Sequence, residues 1–190
     1  MIYFWITFNS IPFISLFLTQ ILLASHIPVY KKKIYFLSYL YYFINTNALC
    51  LFFSHSGYIQ DTNDFRMIPI IYYTIIFEGI FYTWHRISHL PYFYKYLHAH
   101  HHVNYHVCPI DFIDVNYTDS LGFHICMHLP LKIIPLNFLE YLTWYFVMIT
   151  SGFLLHSTIL GEHHILHHKH FHSNYCFLLP IFDIIFQTNR

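Results

Sequence analysis

Eighteen histidines, as many as all the Lys, Arg, Asp and Glu together, run through these 190 residues. Seven fall between positions 85 and 106, and seven more between 156 and 172. The first window opens with His85-Arg86-Ile87-Ser88-His89. Residues i and i+4 of a helix share a face, so this spacing predicts two imidazoles converging on one metal ion. Next comes His98-Ala99-His100-His101-His102, with His98, His101 and His102 at i, i+3 and i+4. His164-Ile165-Leu166-His167-His168 repeats that spacing. One helical turn thus offers three imidazoles on one stripe, twice over. Together with His156, these sets are enough for two metal ions. Neutral imidazole suits Zn, Cu, Fe and Ni alike, so the ligand type leaves the metal open. A closed structural zinc takes four ligands and fits nine histidines poorly.

The register has alternatives. His102/His106 and His168/His172 also stand at i, i+4, and His100, His106, His163, His170 and His172 adjoin the three sets. His128 is a possible extra ligand. His26 and His55 belong to no cluster. A low-complexity histidine tract would also yield such pairs, but here Trp, Leu, Ile and Tyr interrupt the clusters as they do in packed helices.

The elements that must position these groups are apolar. Hydrophobic residues make up 56% of the chain and charged residues only 9%, against about 25% charged in a soluble domain. Aromatics reach 22%. That composition excludes a disordered chain and an ordinary water-soluble enzyme core. The balance of nine basic and nine acidic residues gives no footprint for nucleic acid. Residues 3–25 read as a retained membrane anchor. Lys31, Lys32 and Lys33 follow it, and an uncharged stretch runs from Ile34 to Gln60. A polar loop with Asp61, Asp64 and Arg66 leads into Met67–Trp84, whose only charge is Glu78. Apolar stretches at 120–136 and 138–157 read as a re-entrant hairpin or two crossings. Three adjacent lysines place their loop in the cytoplasm, and the span count then delivers both histidine windows to that same side. The fold class expected is all-α: an integral-membrane helical bundle with a cytoplasmic, histidine-rich metal-binding cap. Cys50, Cys108, Cys126 and Cys176 form no CxxC pair and read as buried small hydrophobes. Trp84 and Trp144 read as members of an interfacial aromatic belt.

In order and spacing these residues resemble the fatty acid hydroxylase/sterol desaturase family of integral-membrane di-iron oxygenases. That family carries HxxxH, then HxxHH, then a lone His at the end of a hydrophobic hairpin, then HxxHH. Here those boxes are His85/His89, His98/His101/His102, His156 and His164/His167/His168. Phe81-Tyr82-Thr83-Trp84-His85-Arg86 looks like its aromatic-Tyr-x-x-His-Arg lead-in, and Pro109 matches its proline. Asn174-Tyr175 resembles its Asn-Tyr-Gly, with Cys176 in place of Gly. Phe182-Asp183-Ile184-Ile185-Phe186-Gln187-Thr188 resembles its Trp-Asp-x-x-Phe-Gly-Thr, with Gln187 in place of Gly and Phe182 in place of Trp. The likeness covers about residues 67–190, and the segment from Pro109 to His128 looks somewhat like the sterol C5-desaturase branch.

The resemblance implies a membrane anchor over 1–66 and a catalytic domain over 67–190. It implies two non-haem iron ions held by the nine histidines of the boxes. The activity it implies is hydroxylation or desaturation of a sterol or fatty acyl lipid with O₂, at the endoplasmic reticulum or an equivalent membrane. No haem-binding, flavin-binding or GxGxxG segment occurs, so electrons must come from a separate carrier, which the resemblance suggests is cytochrome b5 or a similar protein. Asp119, Asn174 and Asp183 are candidates for groups behind the ligands. The rival readings are a non-catalytic membrane metal binder, a metal transporter, a haem cytochrome, or a degenerate family member. Transporters place ionisable ligands near the bilayer midplane, whereas these sets sit just beyond the apolar stretches.

Overall fold

The computed structural model describes residues 10, 11, 14, 15 and 18, then 36–60, 62 and 64–190. The anchor expected over 3–25, the three lysines at 31–33, His26 and Asp61 lie outside those residues or largely so. The described residues are mostly helical. Helix α1 (Phe36–His55) is followed by the two-residue strand β1 (Ile59–Gln60) and helix α2 (Met67–Ser88). A short helix α3 (Pro91–Leu97) leads to 3₁₀ turns at His101–Val103 and Pro109–Ile113. Helix α4 (Tyr117–His128), a 3₁₀ turn at Leu129–Lys132 and strand β2 (Leu136–Asn137) precede helix α5 (Phe138–Leu155). Helices α6 (His163–His170) and α7 (Ile181–Ile185) complete the order.

Among the described residues, α2 and α5 are long and apolar enough to cross a membrane. Their 22 and 18 residues correspond to about 33 Å and 27 Å at 1.5 Å per residue, close to a hydrocarbon core of about 30 Å. Helix α4 has 12 residues, about 18 Å. The stretch 120–157 therefore holds one long helix and one short one, not two full-length helices.

Both long helices start from one polar knot and end at the histidines. Asn137 caps α5, accepting from Glu140 N at 2.8 Å while Glu140 accepts from Asn137 N at 2.8 Å. This capping box satisfies backbone donors left over at a helix start. The same buried Glu140 accepts from Arg66 N, Nε and Nη2 at 2.8–2.9 Å. The start of α2 is thereby tied to the start of α5, and the parallel β1–β2 pair (Ile59 opposite Leu136) closes the same end. At the far ends lie His85 on α2 and His156 just past α5.

Between the ends the helices share one aromatic core. Tyr73 and Phe77 of α2 pack edge-on against Trp144 of α5, and Tyr73 Oη donates to Met127 O at 2.7 Å. Trp144 is a buried core residue that donates to Thr74 Oγ1 at 3.0 Å, not a belt residue. Helix α1 runs along α4 through Asn45–Ser120, at 3.0 Å, and Thr46–His124.

Candidate metal centre

Each histidine set reaches the centre from a different local structure. His85 sits on the last turn of α2 and His89 is its C-cap. The second set is not the continuous α-helical stripe its spacing predicts. His98 is the C-cap of α3, and His101 and His102 lie on a 3₁₀ turn. The tighter winding still aims all three inward. His164, His167 and His168 do share a face of the α-helix α6, and His156 is the C-cap of α5.

All nine histidines of the expected set are buried, and they fall into two groups. His85, His89, His98, His102 and His167 form one; His101, His156, His164 and His168 form the other. In each group the potential ligand nitrogens lie within 4.8 Å of one another. The second and last boxes are divided between the groups, so neighbouring residues of a single turn fall into different groups. Of the alternatives, none enters either group among the described residues. His100 pairs with Asp114 at 3.0 Å, and His163 reaches Phe177 O at 3.1 Å. His128 also stays out: its Nδ1 donates to His124 O at 2.7 Å, and its ring stacks on Phe53.

The fit to metal ions can be tested on these atoms. His85 Nδ1 donates to Tyr175 O at 2.8 Å, and His98 Nδ1 bonds Asp119 Oδ2 at 2.9 Å. Donation through Nδ1 leaves each Nε2 with a bare lone pair. Those two lone pairs face each other at 3.0 Å, an arrangement that repels unless a cation lies between. The Nε2 pairs His101/His156, His156/His164 and His102/His167 stand at 3.1–3.2 Å. Two nitrogens about 2.1 Å from one ion and at right angles are about 3.0 Å apart. His168 is buried with neither ring nitrogen hydrogen-bonded, and His89 Nε2 is likewise bare. Bare buried nitrogens are costly, and a metal ion satisfies them. The donor set fits two ions.

Electrostatics agree. Burial first, and neighbouring imidazoles second, hold His98, His102, His164, His167 and His168 well below the usual histidine range. The same causes lower His101 to about 3 and His89 to about 2. Neutral imidazole is the form that binds metal.

The supporting groups divide by how they act. Asp119, buried on α4, touches His98 of the first group directly. Asp183 touches no histidine of the two groups; it accepts from Tyr175 N and Cys176 N at 2.8 Å and from Thr188 Oγ1 at 2.7 Å. It thereby fixes the backbone whose Tyr175 O receives His85. Asn174 shapes a turn with φ 60°, donating to His163 O at 3.0 Å and accepting from Arg190 N at 2.8 Å. Gln187 keeps the left-handed φ of 55°, the conformation glycine adopts without strain. Cys108, Cys126 and Cys176 are buried.

Two contributors escape a reading by motif. Glu78, buried inside α2, accepts from the backbone N–H of Phe177, Leu178 and Leu179 at 2.7–2.9 Å. Its one sequence signal is being the lone charge in an apolar stretch. Trp84 lines a narrow pocket together with Phe81, Phe112, Phe123 and Phe177. That pocket also meets His85 and His98 of one group and His101, His156 and His164 of the other. A separate open pocket, lined by His89, Pro91, Tyr94, Phe171 and His172, reaches the first group from the surface.

Comparison with known proteins gives a family match. The model of the fatty acid hydroxylase family matches residues 70–188. The chain is 26% identical over 134 residues to Protein CER1-like 2 of Arabidopsis thaliana, covering 58% of this chain and 22% of that protein. The chain thus spans about a fifth of that relative's length. No solved structure matches it.

Proposed function

The chain belongs to the fatty acid hydroxylase family, and from that premise we propose that it is a membrane-bound di-iron oxygenase that hydroxylates or desaturates a lipid chain. The observation that carries this reading is one apolar pocket facing two all-histidine groups at once. Iron held by His85, His89, His98, His102 and His167, and by His101, His156, His164 and His168, would supply the chemistry that couples O₂ to oxidation of an unactivated C–H bond. In hydroxylation, O₂, two electrons and two protons convert C–H into C–OH and release one water.

The protein's own residues position and shield. Phe81, Phe112, Phe123 and Phe177 give a lipid chain apolar surface and keep water from the reacting carbon. Tyr175 O, Gly152 O and Ser173 O accept from Nδ1 of His85, His156 and His167 at 2.7–2.8 Å. Those bonds fix the rings with Nε2 facing the centre. The open pocket at His89 and Tyr94 is where a carrier such as cytochrome b5 would approach. In this reading residues 67–190 form the catalytic unit, and α1 of the preceding segment supplies Tyr42 to the pocket wall. The helices form a bundle in an endoplasmic-reticulum-type membrane, with the histidine end cytoplasmic.

The test uses iron-loaded protein reconstituted in lipid with a reduced carrier, and products read by mass spectrometry for acyl and sterol lipids. His101→Ala should abolish turnover while membrane insertion persists. His55→Ala, at an exposed position outside both groups, should change neither. Wild-type protein that holds its metal but oxidises neither lipid class would favour a non-catalytic metal binder.

A further inference from the structure

Two glycines interrupt helices of this chain at the pocket, although glycine in a helix interior is destabilising relative to alanine. Gly122 lies in α4 and Gly152 in α5. A Cβ at Gly122 would fall within 2.6 Å of Cε2 and Cζ2 of the Trp84 indole, and one at Gly152 would fall 2.7 Å from Cε1 of Phe112. Neither overlap is tolerable, so each glycine is a notch into which an aromatic ring sinks. Both rings line the same pocket. Trp84 stacks near His85 and meets His98 edge-on, with centroids 6.3 and 5.9 Å away. Phe112 lies 5.9 Å from His156. One seated ring therefore stands beside each metal group.

We propose that Trp84 on Gly122 and Phe112 on Gly152 are the walls that set the width of the substrate pocket, admitting a single unbranched chain and rejecting a fused-ring lipid. The pocket that both rings line, with Phe81, Phe123 and Phe177, has about 40 Å³ of free space, whereas a benzene ring occupies an engineered cavity of about 150 Å³. A polymethylene chain is thinner than a fused-ring nucleus, so its entry requires less displacement of the two rings. A sterol nucleus would have to displace both, and each ring is packed against its neighbours, Trp84 at Gly122 of α4 and Phe112 edge-on with Phe153 at 5.0 Å. The selectivity assigned to these walls rests on the oxygenase reading, but the shape they impose on a bound ligand does not.

The experiment compares an acyl with a sterol substrate in wild type and in Trp84→Ala, Phe112→Ala and the milder Trp84→Phe and Phe112→Leu. Gly122→Ala and Gly152→Ala are included, and metal content is measured in every sample. Opening a wall should raise the sterol-to-acyl ratio of kcat/KM by about tenfold or more, the scale of discrimination by pocket shape. The glycine variants, holding wild-type metal, should lose acyl turnover as the displaced ring enters the pocket. The same proteins are titrated with a fluorescent acyl chain and a fluorescent sterol. Wild type should bind the first and exclude the second, with sterol binding gained in the opened variants. Acyl binding without turnover would remove the oxygenase reading and leave the walls standing. An unchanged acyl-to-sterol preference in metal-replete variants, in both turnover and binding, would overturn the proposal.

Discussion

At the scale of single residues, His98 differs from the other histidines of the two groups in what its second nitrogen meets. His98 is backed by the buried carboxylate of Asp119 at 2.9 Å, which holds the ring and raises its basicity toward a metal. Asp119→Ala should weaken metal binding at the His85/His89/His98/His102/His167 group by about 10–100-fold, the usual cost of losing such a partner. The other group does not use that bond. Chelator competition followed by metal analysis should therefore release one ion early and the second at the wild-type concentration. Asp119→Asn, which keeps an acceptor oxygen, should recover much of the loss. Simultaneous release of both ions at the wild-type concentration would show that Asp119 does not support His98. The spacing of the histidine sets was legible in the sequence, with His156 added by its place in the order of the boxes. Their division into two groups was not, because His101 and His102 are adjacent and only the fold sends them to different centres. Asp119 was legible as a carboxylate near the boxes, but its pairing with a ligand 21 positions away is a property of how α4 packs.

At the scale of elements, the loop after α6 is held by carboxylates, since it has little helix of its own. Glu78 receives three successive N–H groups from Phe177 to Leu179, and Asp183 receives those of Tyr175 and Cys176. Five consecutive backbone donors are thus satisfied by two side chains. The consequence reaches the first histidine group, because Tyr175 O orients His85. Glu78→Ala should leave three buried donors unpaired, at about 1–3 kcal/mol each when no water replaces the carboxylate. The expected outcome is a lower unfolding temperature in detergent together with weaker metal retention at the His85 group. Glu78→Gln, which keeps one acceptor oxygen, should fall between. An unchanged melting profile in the Ala variant would mean the loop is held by other contacts. The apolar run at Met67–Trp84 and the helical spacing at His164–His168 were readable in the sequence, and both fall in α-helices. The 3₁₀ turn at His101–Val103 was not, since i, i+3 and i+4 spacings suit either winding. Glu78 and its partners lie about a hundred positions apart, and nothing local in the sequence joins them.

At the scale of the whole molecule, the chain is polarised along its two long helices. Arg66, Asn137 and Glu140 knot one end, and His85 and His156 stand at the other, with the aromatic core of Tyr73, Phe77 and Trp144 between. A length of about 27–33 Å separates the ends, matching a bilayer's hydrocarbon core. The Arg66–Glu140 knot closes the end opposite the histidines, so a bilayer placed across the helices puts Thr62 and His100 on opposite faces. Both positions are exposed. Single cysteines at 62 and 100, in a Cys50→Ser background, can be labelled in sealed vesicles with a membrane-impermeant maleimide. Cys108, Cys126 and Cys176 are buried and should stay silent in folded protein. Position 100 should label from the cytoplasmic face and position 62 only after permeabilisation. The direction rests on Lys31–Lys33 through the positive-inside rule, whereas the opposition rests on the helix ends alone. Reversed labelling would overturn the orientation and keep the two-ended bundle. Labelling of both positions from one face would overturn the bundle itself, because helices that start at Arg66 and Asn137 and finish at the histidines would then not cross.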